Sequence, residues 1–81
     1  MLQIRILDTD MERLIGAQKS ISTALRLLSH KASVIPVADP LEICRFGLVG
    51  AMPALEINGC IRSKGRPIKT EDALELLRKY A

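Results

Sequence analysis

An Asn-Gly pair set between two runs of strand-forming residues leaves a chain little choice but a tight antiparallel hairpin, and Asn58-Gly59 stands in that way between Met52–Ile57 and Cys60–Lys64. The other elements are read outward from this turn. Gly65-Arg66-Pro67 breaks the second run. Thr70-Glu71-Asp72 then opens a last helix whose Ala73, Leu74, Leu77 and Tyr80 share a face, with Arg78 and Lys79 at the end where cations complement the last carbonyls. At the other end of the chain, Leu2, Ile4 and Ile6 alternate with Gln3 and Arg5, and Leu7 extends the apolar character to both faces, as in a strand inside a sheet. Thr9 and Glu12 have the spacing of a capping box, so a helix is expected from Met11 to about His30, with Met11, Leu14, Ile15, Ile21, Ala24, Leu25 and Leu28 on its apolar side. Ser33–Val37 reads as a second strand that Pro36 confines to an edge or makes irregular, because proline cannot donate to a ladder. Asp39-Pro40 opens a brief helix, Leu41 to Phe46, which stops at Gly47. The order is βαβαββα. A strand-helix-strand start requires a parallel pair, so the fold class is α/β: a four-stranded mixed sheet with helices on both faces.

With 81 residues there is room for one domain, 1–81, and 48% hydrophobic with 26% charged residues suits a folded globular chain. A net charge of +3 and 2% aromatics, Phe46 and Tyr80, argue against a nucleic-acid surface. The first residues lack a basic leader followed by a long apolar run, so neither export nor membrane insertion is expected. Two cysteines, Cys44 and Cys60, are too few for a disulfide framework and are not spaced as Cys-x-x-Cys, which points to a reducing cytoplasm and to no zinc site. Composition sets no oligomeric state.

The element order, with Pro53 leading the third strand, resembles the thioredoxin fold. The whole chain is similar to the small glutaredoxin-like "redox-active disulfide protein" family of thioredoxin-like domains. The residues that carry the likeness are Asp8-Thr9-Asp10-Met11-Glu12-Arg13-Leu14 after the opening strand, Phe46 to Leu55 with its Met52-Pro53, the Ile57-Asn58-Gly59 turn and Gly65-Arg66. The resemblance implies a cis peptide bond at Met52-Pro53. It also implies that the start of the first helix, the turn before that proline and the turn after the fourth strand converge, bringing together Met11, Leu14, Met52, Pro53 and Gly65. The family pattern at the helix start is Gly-Thr-Gly-Cys-x-x-Cys, and only Thr9 of it survives here. Met11 and Leu14 stand at the cysteine positions, and neither a thioether nor an isobutyl group can act as nucleophile or resolving group in disulfide exchange. The resemblance therefore implies a domain without the dithiol. Its role would be as a non-catalytic module that takes an extended peptide or protein segment beside Met52-Pro53 by strand addition, with no cofactor or metal.

The alternative is a thiol-dependent redox protein that uses Cys60, and with it Cys44, sixteen positions apart. Cys44 falls on the Leu41, Cys44, Leu48 facet and reads as a small core hydrophobe. Cys60 reads as a surface thiol near Arg62 and Lys64, half covered by pairing with Ile57, open to a redox-sensing role. Arg62, Lys64 and Arg66 would align along one side of a strand, with Lys69 beyond, where they guard an edge or meet an anion. His30 is a helix-end residue without catalytic companions, and Asp8, Asp10 and Glu12 have the spacing of a capped helix start before that of a metal cluster. No glycine-rich nucleotide cradle occurs.

Overall fold

The structure, a computed structural model, describes residues 2–80; Met1 and Ala81, the ends of the expected domain, lie outside the described residues. The elements are β1 (Leu2–Leu7), α1 (Met11–Leu27), β2 (Ala32–Val37), α2 (Pro40–Arg45), β3 (Ala54–Ile57), β4 (Cys60–Lys64) and α3 (Thr70–Arg78). The four strands form one mixed sheet in the order β2-β1-β3-β4, with β1 parallel to β2 and the remaining pairs antiparallel.

Side-chain alternation divides β1 between two layers. Leu2, Ile4 and Ile6 pack with Leu14, Ala17, Ile21, Ala24 and Leu25 of α1, Leu55 and Ile57 of β3, and Ala73 and Leu77 of α3, so two helices cover one face. On the other face Leu7 and Ala54 meet Ile43 of α2 and Leu48. Each fully buried Leu or Ile contributes about 1.5–3 kcal/mol, so the thicker layer carries most of the stability.

Pro36 is accommodated at no cost to the ladder. Val37 offers its carbonyl to the Asp8 N–H at 3.1 Å, so in this parallel pair the odd-numbered residues of β2 face β1 and Pro36 turns its missing donor away from the sheet. The hairpin turn has Asn58 and Gly59 both in the left-handed region, at φ 50° and 86°, as a type I′ turn requires. Asn58 also ties the turn to β1: its N–H donates to the Gln3 carbonyl at 2.8 Å, and its Oδ1 accepts from the Gln3 N–H at 2.9 Å.

Several boundaries differ from the sequence reading. The cap of α1 is Asp10, whose Oδ1 accepts from the Arg13 N–H at 3.1 Å, and not a Thr9–Glu12 box, because Thr9 is engaged elsewhere. The same helix stops before His30: Ser29 adopts φ 51°, while His30 and Ser29 donate back to the Leu25 and Arg26 carbonyls, a Schellman closure without glycine. α2 closes in the same manner through Gly47, whose φ is 69°, and the chain turns so that Leu48 packs on Ile43. α3 starts where the Asp72 carboxylate reaches back to the Lys69 N–H at 3.4 Å. β3 begins at Ala54, two residues after Met52. A bulge between Leu55 and Glu56 breaks the alternation of β4, since Leu55 faces Ser63 while Glu56 faces Ile61. Arg62 is the extra residue, and its guanidinium lies over the Tyr80 ring at 5.8 Å.

Among the described residues no helix is long and apolar enough to cross a membrane.

Candidate functional site

The turn from β1 into α1 is built around a buried charge. Asp8 is fully buried, and its carboxylate accepts from Arg13 Nε at 2.9 Å, Arg13 Nη2 at 3.0 Å and the Asp10 N–H at 2.8 Å. Burial alone would push the Asp8 carboxyl up; the Arg13 hydrogen bonds, the Asp10 amide and the Arg13 charge outweigh it and hold the group below its ordinary 3.8. With three hydrogen bonds accepted and its proton lost, Asp8 is a structural anion here and not a proton donor at neutral pH. It fixes the direction in which α1 leaves the sheet.

Three loops meet above this anchor. Thr9 directs both its N–H and its hydroxyl at the Met52 sulfur, at 3.4 and 3.6 Å. The Met52-Pro53 bond is cis. Gly65, at φ 73° where only glycine is unstrained, donates its N–H to the carbonyls of Ala51 and Pro53 at 2.9 and 3.1 Å. Met52 is half-buried and Pro53 buried. Within the described residues the Met52 N–H and C=O have no hydrogen-bond partner.

Met11 and Leu14, expected together at the start of α1, diverge. Met11 is 56% exposed, whereas Leu14 is 2% exposed and packs into the main core. Leu14 therefore supports the site from below and is not part of its surface. A shallow groove of about 520 Å³ continues from Pro53 between α1 and the start of α3, floored by Gly16 and Ala17 and flanked by Arg13 and Lys69.

The other candidate residues lie apart. Cys60 pairs with Ile57 at the hairpin end of the sheet, about 13 Å along β3 from Pro53 at about 3.3 Å per residue. It is exposed, as expected of a surface thiol. Cys44 is exposed as well, which corrects its reading as a core residue: α2 is too short to bury more than Ile43, and Leu41 on the expected apolar facet is 73% exposed. Arg62 and Lys64 do not share a side. The bulge leaves Lys64 opposite Ala54 on the α2 face, while Arg62 turns to α3, where it lines a cleft with Arg66 and Lys69. His30 places Nε2 3.1 Å from the Tyr80 carbonyl and so joins the ends of α1 and α3. Among the described residues no group of three or more His, Cys, Asp or Glu is placed to hold a metal ion.

Two ion pairs escaped the sequence reading. Asp8–Arg13 looked like ordinary helix-start charge. Arg5 and Glu56, opposite each other in β1 and β3, form two hydrogen bonds at 3.0 and 2.9 Å, with Phe46 beneath the guanidinium at 5.1 Å; the signal was one charge of each sign at the centre of an apolar strand. No protein-family model matches this chain, and no curated protein matches it.

Proposed function

We propose that this chain is a thioredoxin-like domain, similar to the redox-active disulfide protein family, that has lost the dithiol and binds an extended protein or peptide segment at Met52-Pro53. The strand order, the division of helices between the faces and the convergence of Thr9, Met52 and Gly65 support the likeness. The observation that carries the binding role is the free pair of main-chain groups on Met52, whose sulfur meets Thr9 two residues before the exposed and adaptable Met11. An extended segment would pair its own amide and carbonyl with those of Met52, and place an apolar side chain against Met11. No sulfur nucleophile is needed, and none stands at positions 11 or 14.

Selection from a phage-displayed random peptide library, followed by amide-shift mapping with the enriched peptides, tests this. The expected peptides perturb Thr9, Met11 and Met52, and Met11→Glu weakens them about tenfold. Peptides that map elsewhere, or an absence of enrichment, overturn the reading. The exposure of both free thiols favours one rival, a redox role for Cys60 with Cys44. Reduction of insulin disulfides that is abolished by Cys60→Ser would establish the rival in its place.

A further inference from the structure

The sheet ends in two unequal edges. On β4, Arg62 sits at a bulge and Lys64 follows it, both features that spoil a flat pairing surface. The β2 edge, Ala32-Ser33-Val34-Ile35-Pro36-Val37, has no charged residue, and its Ile35 is 46% exposed. Because the odd-numbered residues of β2 bond to β1, the groups turned outward are those of Ala32, Val34 and Pro36. Pro36 lacks one donor, so the edge is selective about what it can pair with.

We infer that β2 is where two copies of this chain associate, antiparallel about a two-fold axis, so that two four-stranded sheets become continuous. The strand is self-complementary about Val34. With Val34 opposite the same residue of a second copy, each Val34 N–H meets the other Val34 carbonyl and each Ala32 N–H meets a Pro36 carbonyl. Every outward donor of the strand is then used, and only the Ala32 carbonyls lack one. A register centred on Ile35 instead sets Val34 against the donorless Pro36 and leaves Ala32 beyond the paired strand. In the Val34 register the two Val34 side chains pack on one face. The two exposed Ile35 side chains meet diagonally on the other. Lys31, just before the strand, and Asp39, two residues past its end where it caps α2, fall at the same ends of the contact on opposite copies, so opposite charges lie near each other at both ends.

Sedimentation velocity over a dilution series tests the association, with circular dichroism to show that each variant is folded. The wild type is expected to pass reversibly from monomer to dimer. Ile35→Lys and Lys31→Glu, both at exposed positions, should each weaken the dimer about tenfold, since a two-fold contact counts every change twice. Pro36→Ala supplies the missing donor to the Ala32 carbonyl of the second copy and should tighten it about tenfold. In a Cys44→Ser, Cys60→Ser background, Val34→Cys should form an inter-chain disulfide under mild oxidation, because Cα atoms about 5.5 Å apart in a hydrogen-bonded pair suit one. Lys19→Cys on α1 should not. A monomer at every concentration, with Val34→Cys cross-linking no faster than Lys19→Cys, overturns the proposal. So does a dimer indifferent to both Ile35→Lys and Lys31→Glu, which would have to use another surface.

Discussion

A carboxylate without solvent contact is tolerated at position 8 because it accepts three hydrogen bonds, two of them from one guanidinium. Its folded-state pKa lies below the ordinary 3.8, so Asp8 contributes stability in full above that value, and the contribution is lost as pH falls through the folded pKa. Asp8→Asn should therefore cost about 2 kcal/mol near neutrality, by urea denaturation, and the gap to wild type should close in acid below the ordinary value. A gap that stays constant into strong acid would refute the ionic account. Arg13→Met removes the partner but leaves the buried charge. It should lower the melting temperature at neutral pH and lose less than wild type on acidification.

Elements built from local rules were legible in the sequence. The Asn58-Gly59 hairpin, β1 and the Asp39-Pro40 helix start are specified within a few neighbouring residues, and each is found where expected. What pairing across the sheet decides was not legible: the bulge that separates Arg62 from Lys64, the Arg5–Glu56 pair and the outward turn of Cys44. The apolar stripe of α1 was read slightly out of phase. Met11 and Ile15 are exposed while Ala17 is buried, because an alanine or methionine fits either side of such a helix and only the sheet beneath it decides. At the candidate site the meeting of the α1 start with Met52-Pro53 and Gly65 was expected only from the family resemblance, the Thr9–Met52 contact had no sequence signal, and the different fates of Met11 and Leu14 follow from helix phase. That difference predicts unequal substitutions. Leu14→Ala should lose about 2–5 kcal/mol in chemical denaturation, and Met11→Ala should be close to neutral. Equal losses would mean that Met11 is also part of the core.

The whole molecule measures 33 × 23 × 17 Å, and its sheet is clad unevenly. One side is sealed by a 17-residue and a nine-residue helix. The other has a six-residue helix anchored mainly through Ile43 and Leu48. Protection against exchange follows the free energy of the smallest opening that exposes an amide, and a helix with so few anchors opens at less cost than the body it rests on. In native-state hydrogen exchange the amides of Ile43–Arg45 should lose protection well before those of Ile21–Leu25, and uniform protection across both would refute this. A molecule finished in this way does not melt as a block: α2 lifts away first, and the strands it shelters meet solvent while the opposite layer still stands.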